Sequence, residues 1–336
     1  YGFNNYHEVF LGGGCLLFNL LPANTISVEK NVNIYKIYEN IKLNHLQIIK
    51  DLEVLEKNYH DLPDKEARKK YYLDKRDKFN KLNYDTKESG LEKTILLLFM
   101  NKTCFNALYR ENSKGLFNVP FGNGRDCNIC NKEKITKLHE YLNKPDIKII
   151  NSDFEYIMDY VKENDIVYID PPYYPLNKSS FTTYTNDGFT IKDNDRLISF
   201  IKKLCDKKVK VILSNSNNQY YKDKLNFLKI YELSISRTLN CKKEDRQKKL
   251  CEIIVTNIDI SGNYEISNKN NIDLKKGDNL DIEKFGKHLY FTFNNKKIDK
   301  LNDKMINVIY NNRDKFEIFI DEVKNSENIS IRINAL

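Results

Sequence analysis

Ten residues, IVYIDPPYYP (Ile166 to Pro175), hold three of the seven prolines in the chain. The β-branched run that opens them reads as a buried strand ending in an acid, Asp170. Pro171 and Pro172 carry no backbone N–H, so the turn offers acceptors: a carboxylate and outward-facing carbonyls. Paired acceptors suit a group with two N–H bonds, and Tyr173 adds an aromatic face for a flat partner. The set fits a planar heterocycle with an exocyclic NH2, such as adenine or cytosine. Such an amine is a poor nucleophile because its lone pair is delocalised into the ring. Accepting both of its hydrogens bends the nitrogen toward tetrahedral geometry and frees that pair. Asp170, Pro171, Pro172 and Tyr173 are therefore candidate catalytic residues, with an Asp-capped turn closing a strand as the plain alternative.

A nucleophilic amine needs an electrophile. FLGGG, with Phe10, Gly12, Gly13 and Gly14, follows one strand and precedes an apolar helix, which lets backbone approach a ligand closely. It lacks the spacing of dinucleotide or phosphate-loop fingerprints. Two acids at later strand ends strengthen it. Glu29 suits ribose hydroxyls and Asp153 suits an adenine amine, with Phe154 or Phe10 able to stack on that adenine. Each acid alone is as well explained as a solvated strand end. In this order they look like an S-adenosyl-L-methionine pocket lined by Phe10, Gly12, Gly13, Gly14, Glu29, Asp153, Phe154 and Asp170.

The elements that must position these residues alternate strand and helix, which predicts an α/β fold with a doubly wound, mostly parallel sheet. EVF, NTISVEKN, DIKIINSDF, DIVYIDPPYYP and VKVILSNSN read as strands, EYIMDYVKEN and KDNDRLISFIKKLCDKK as helices, and LKIYELSISRTL with LCEIIVTNI as a closing antiparallel pair. A Lys-rich helical stretch from about Asn33 to Leu97 interrupts the alternation, and FNALYRENSKGLFNVPFG reads as a β-hairpin. After Ile260 a polar linker leads into a small α/β piece with strand-like KHLYFTF, helix-like DKLNDKMINVIYN and strand-like KFEIFIDEVKN.

The bulk numbers constrain less. A net charge of +8 is compatible with a polyanionic partner and equally with a Lys- and Asn-loaded composition. Seven cysteines, an odd number without a paired framework, point to a reducing compartment. CNIC (Cys127 to Cys130) has no second pair of ligands at metal spacing, so no metal is expected. No run is long and apolar enough for a membrane span or signal peptide, so a cytoplasmic location and no membrane partner are expected.

With these motifs in place, the chain resembles the Dam-type (D12 class) DNA adenine-N6 methyltransferases over roughly Tyr6 to Asn257. The resemblance rests on FLGGG, FNALYRENSKGLFNVPFG, DPPYYPLNKSSFTTYTNDGF, LSNSN and SRTLN…R…CEIIVTN. It implies S-adenosylmethionine-dependent methylation of adenine N6 in duplex DNA by base flipping and direct transfer. A short site, GATC-like by analogy with the hairpin, is implied as well. Arg110, Asn112, Lys114 and Asn118 would face base edges, Phe181 and Tyr184 would enclose the flipped base, and Arg237, Asn240 and Arg246 would meet phosphates. A catalytic domain is expected over residues 1–40 and 141–260, and a target-recognition insert over 41–140 with its hairpin near 105–122. An extension of unknown role is expected over 261–336. The partners implied are double-stranded DNA and, in a restriction–modification setting, a cognate endonuclease, with the enzyme acting as a monomer.

Three departures from the family pattern matter. Members usually carry a Lys-Trp-Ala/Pro-Gly-Gly-Lys segment upstream of the glycines, which would precede Tyr1 here, so either a truncated chain or an incomplete pocket is expected. Val28 stands where an acid often follows Ile-Ser, and Glu29 comes one residue later. The tail adds Glu322 and Lys324 in a Glu-x-Lys pattern known from nucleases, but without an upstream Pro-Asp partner it reads as a capping or protein-contact module. Two other functions stay open: a non-catalytic DNA-binding protein on a degenerate scaffold, and a cytosine-N4 methyltransferase.

Overall fold

The computed structural model describes residues 3–122, 127–174, 189–236, 249–258, 262–267, 272–285, 288–294, 296–300, 316–323 and 328–335. The chain divides into two compact units, one of residues 1–171 and 177–209, the other of 172–176 and 210–336. The seven-stranded sheet is mostly parallel, as the alternating pattern predicts.

In the first unit the strands β1 (Tyr6–Glu8), β2 (Thr25–Val28), β3 (Ile147–Ile150) and β4 (Ile166–Ile169) run in the order β3-β2-β1-β4, all parallel. Glu8 of β1 lies opposite Tyr168 of β4, so the glycine loop and Asp170 leave the sheet at the same edge. Between β2 and β3 the chain builds its helical insert: α2 (Val32–His60), α3 (Lys65–Lys81), α4 (Lys87–Thr103) and α5 (Lys132–Leu142), after a single turn α1 (Leu17–Leu20). Each long helix starts on a side-chain cap, Asn31, Asp64, Thr86 and Asn131, whose oxygen accepts backbone N–H groups of the first turn. Tyr59, Tyr72, Phe79, Phe99, Leu97 and Met100 form the buried heart of the insert, continuous with Tyr6, Leu11 and Leu17 beside the sheet.

Two local readings change. EYIMDYVKEN, which has helical composition, forms only a 3-10 turn over Phe154–Asp159, after which Asn164 takes a left-handed φ of 66°. Asp165 accepts the Lys162 N–H at 2.8 Å, tightening a return to β4 that leaves no room for a longer helix. A full helix does follow over α6 (Ile191–Asp206), opened by a capping box between Thr190 and Asp193.

The second unit holds β5 (Lys210–Ser216), β6 (Lys229–Ser236) and β7 (Lys249–Thr256) in the order β5-β7-β6, antiparallel, with α7 (Gln219–Lys224) after β5. The stretch expected to be a polar linker instead contains β8 (Gly262–Ser267), which pairs antiparallel with β13 (Asn328–Ala335). Pairing across more than sixty residues overrides a local sequence rich in Asn and Lys. β13 also pairs with β12 (Phe316–Val323), while β9 (Asp281–Phe285), β10 (His288–Phe293) and β11 (Lys296–Lys300) make a second small sheet. Of the helix expected at DKLNDKMINVIYN, the first two residues, Asp299 and Lys300, instead close β11 by pairing with β10; the rest of it and the residue Lys324 lie outside the described residues.

Candidate active site and recognition hairpin

The glycine loop is held from three sides. Gly12 and Gly14 have φ of 48° and 60°, a region that side chains disfavour. The Gly12 N–H donates to Glu29 Oε2 at 2.7 Å, and the Gly12 carbonyl accepts from the Tyr38 hydroxyl at 2.6 Å. Gly14 N–H turns back onto the Leu11 carbonyl at 2.7 Å. A Cβ on Gly14 would run into the Phe18 ring, whereas one on Gly12 or Gly13 would meet nothing within 4 Å. Gly14 is thus required by packing, and Gly12 with Gly13 forms an open cradle of backbone.

The acids after β2 and β3 both have partners. Glu29 is buried; Oε2 holds Gly12 and Oε1 accepts the Asn31 N–H at 2.7 Å, while burial raises its pKa. Asp153 begins the 3-10 turn and accepts Arg196 Nη2 at 2.8 Å and Lys30 Nζ at 3.3 Å. Arg196, on α6, also binds Glu155 at 2.5 Å and Asp193 at 3.1 Å and lies over the Phe154 ring at 5.0 Å. Phe154 stacks on Phe10 with centroids 5.3 Å apart, and Phe189 meets Phe10 edge-on at 5.6 Å. The structure therefore brings Phe10, Gly12, Gly13, Gly14, Glu29, Asp153 and Phe154 to the carboxyl ends of β1 to β3 in one unit. Sequence reading missed Arg196, which acts from forty-three residues beyond Asp153.

Asp170 follows β4 and is exposed, with Pro171 buried behind it. One carboxyl that sequence reading passed over faces it electrostatically. Glu8, at the end of β1, is only 3% exposed; its Oε2 accepts the Tyr6 hydroxyl at 3.0 Å and the Leu17 N–H at 3.1 Å. Burial, with the Asp170 charge adding to it, pushes the Glu8 pKa up to about 7 despite those two donors. The available signal was a lone acid inside a buried strand immediately before the glycine motif.

The rest of the motif belongs to the second unit. The Tyr173 hydroxyl lies 2.9 Å from Ser214 Oγ and 3.2 Å from Glu252 Oε2. The Tyr174 N–H donates to Asn215 Oδ1 at 3.0 Å, its carbonyl accepts from Ser216 Oγ at 2.7 Å, and its ring stacks on Tyr220 at 4.6 Å. LSNSN thus fixes the backbone of the second tyrosine, a role its Ser and Asn residues did not advertise.

The segment read as a hairpin opens with a 3-10 turn over Phe105–Ala107 and then folds back on itself. Bridges pair Cys104 with Phe121 and Glu111 with Phe117, and Gly115 turns the tip at φ 72°. Asn112 Oδ1 accepts the N–H groups of Lys114 and Leu116 at 2.9 and 3.1 Å, so this oxygen shapes the turn. Arg110 donates to Asn118 Oδ1 at 2.8 Å; Arg110, Asn112 and Lys114 are exposed and Asn118 is half-buried. Asn80 clasps the hairpin by bonding both the N–H and the carbonyl of Phe117, at 2.9 and 3.0 Å. Phe181, Tyr184, Arg237, Asn240 and Arg246 lie outside the described residues.

At the CNIC segment, Cys130 Sγ lies 3.5 Å from the Ile49 carbonyl, and burial raises its pKa to about 11. Among the described residues no group of three or more His, Cys, Asp or Glu side chains is placed to hold a metal ion. No helix among them is long and apolar enough to cross a membrane.

A mostly parallel α/β sheet, with the glycine loop and Asp170 following the paired strands β1 and β4, matches the S-adenosylmethionine-dependent methyltransferase fold. The family described as D12 class N6 adenine-specific DNA methyltransferase matches residues 2–239, and the chain belongs to it. It is an adenine-specific DNA methyltransferase. It is 38% identical over 256 residues to the Type II methyltransferase M1.LlaDCHI of Lactococcus lactis subsp. cremoris, covering 76% of this chain and 87% of that one. It is 37% identical over 258 residues to the Type II methyltransferase M.MjaIII of Methanocaldococcus jannaschii, covering 75% and 88%. It is 26% identical over 245 residues to the DNA adenine methylase of Haemophilus influenzae, covering 72% and 80%. D12 class enzymes in general use S-adenosylmethionine.

Proposed function

We propose that this chain binds S-adenosyl-L-methionine in the glycine cradle and methylates N6 of an adenine flipped out of duplex DNA at a short, specific site, GATC-like by analogy. The observation that carries the reading is the parallel pairing of β1 with β4, which sends the cradle and Asp170 out of the same sheet edge. The open space over Gly12 and Gly13 fits a ligand approaching the backbone closely. Phe10 and Gly12 to Gly14 would line it, Glu29 would face its ribose, and Asp153 with Phe154 its adenine. When bound, it supplies a methyl group on a positively charged sulfur that leaves with the electron pair.

In this mechanism Asp170 and a carbonyl of Pro171 or Pro172 accept the two hydrogens of the target amine, freeing its lone pair, and Tyr173 packs on the ring. The new N–CH3 bond forms, and the surplus proton leaves N6 by way of those acceptors. Arg110, Asn112, Lys114 and Asn118 read base edges, Phe181 and Tyr184 enclose the base, and Arg237, Asn240 and Arg246 anchor phosphates. The names of its Type II relatives support a place in a restriction–modification pair with a cognate endonuclease. The enzyme acts as a cytoplasmic monomer in this reading.

The test is transfer from labelled S-adenosylmethionine to unmethylated genomic DNA, followed by mass analysis of the nucleosides. N6-methyladenine is expected. N4-methylcytosine would move the reading to the other conjugated amine, and no incorporation would overturn the activity of this chain.

A further inference from the structure

A polar network, buried at Glu29 and Asn33 and half-buried elsewhere, runs from the glycine loop to the hairpin within one unit. It starts at Glu29, whose two oxygens hold the N–H groups of Gly12 and Asn31, each at 2.7 Å. Asn31 caps α2: its Oδ1 accepts from Asn33 N at 2.9 Å and Ile34 N at 3.2 Å, and the Tyr109 hydroxyl approaches it at 3.4 Å. Asn33, 8% exposed, is the junction. Its Nδ2 donates to the Tyr109 hydroxyl at 2.9 Å and to Glu111 Oε1 at 2.8 Å, while its Oδ1 accepts from the Tyr84 hydroxyl at 2.8 Å. Tyr109 in turn donates to Glu111.

The hairpin's extended backbone gives this network its leverage. Side chains alternate along an extended segment, so Tyr109 and Glu111 point inward while Arg110 and Asn112 between and beyond them are exposed. The position of the inward pair therefore fixes the aim of the outward pair. At the other end, any ligand seated on Gly12 and Gly13 presses on the backbone that Glu29 grips. Satisfied buried networks have few alternative arrangements, so a shift at one end is transmitted rather than absorbed.

We propose that Asn33 is a positioning residue that couples the cofactor cradle to the hairpin, so that cofactor and DNA bind this enzyme cooperatively. The inference rests on the function proposed above. Linkage requires the effect to be reciprocal: each ligand strengthens the other by the same factor.

The experiment uses the full chain, sinefungin as an unreactive cofactor analogue, and a fluorescent duplex carrying the site mapped by the methylation assay. Duplex affinity is measured with and without saturating sinefungin. The wild type is expected to bind the duplex about fivefold or more tightly with sinefungin present. In Asn33→Ala and Glu111→Ala that ratio falls to about one, whereas Glu111→Gln, which keeps an acceptor for Asn33, retains it. A merely structural role would weaken both affinities and leave the ratio intact, and that result overturns the inference, as does a wild-type ratio near one. A wild type that binds neither sinefungin nor duplex overturns the proposed function itself.

Discussion

Glu29 and Gly12 are joined by a 2.7 Å hydrogen bond from the loop amide to a buried carboxylate oxygen, with the other oxygen holding Asn31. The acid that sequence reading assigned to a ligand is thus also the clamp that shapes the cradle. Glu29→Gln turns one acceptor into a donor facing an N–H, which costs about 1–3 kcal/mol of stability. Thermal melting should fall and sinefungin binding should weaken together; a variant with unchanged melting would show the clamp is dispensable.

Gly13 and Gly14 separate folding from binding. Gly14→Ala drives a Cβ into the Phe18 ring at a left-handed φ, and about 1–3 kcal/mol of stability should be lost. Gly13→Ala projects into open space, so stability should stay within about 0.5 kcal/mol. If the cradle holds the cofactor, the same Gly13 variant loses about tenfold in sinefungin affinity by calorimetry.

Asp170→Ala removes the carboxylate that the mechanism places on the target amine. Methyl transfer should drop by about 10²- to 10³-fold or more while sinefungin still binds. An active Asp170→Ala enzyme would defeat the mechanism.

Glu8 gives the protein a pH signature. Its folded pKa of about 7 lies above the ordinary value of 4.5, so the folded chain binds the extra proton between these limits. The stability this group contributes is complete below about pH 4 and is lost as pH rises through about 7, on the order of 3 kcal/mol in all. Glu8→Gln keeps an acceptor for Tyr6 and Leu17, so urea unfolding from pH 5 to 8 should show a flatter profile than the wild type. Parallel profiles would assign the slope to other groups.

Arg110 and Lys114 should fail differently. Arg110→Ala removes a fork able to read a base edge, costing about 1–3 kcal/mol of discrimination and relaxing the site in methylome sequencing. Lys114→Ala, if it reaches only phosphate, weakens all duplexes alike and lowers the salt dependence of binding. Loss of selectivity from Lys114→Ala alone would reassign the two residues.

Much of this fold was legible because its signals are local. Apolar runs leading to acids mark β2 to β4, and three consecutive glycines mark the loop. The Asp-Pro-Pro-Tyr chemistry could be read because it needs only residues adjacent in sequence. What stayed hidden depends on partners far along the chain. Arg196 reaches Asp153 from α6, Asn33 meets Tyr109 and Glu111 across more than seventy residues, and β8 becomes a strand only against β13. The 3-10 turn after Asp153 is a smaller case: EYIMDYVKEN has helical composition, but the short path back to β4 decides its shape.

Asn80, on α3, bonds both polar groups of Phe117's backbone, much as one rung of a neighbouring strand would. A side-chain amide thus completes a two-stranded ribbon that would be marginal alone. Tyr72 adds a bond to the Val119 carbonyl at 2.7 Å, further along the same arm. Both anchors hold the returning arm by its main chain, at Phe117 and Val119. The exposed tip residues Ser113 and Lys114, between Asn112 and Gly115, can change their side chains without loosening these anchors. Under the proposed function, new target sites can then evolve by drift at the tip while the helical frame and the chemistry stay as they are.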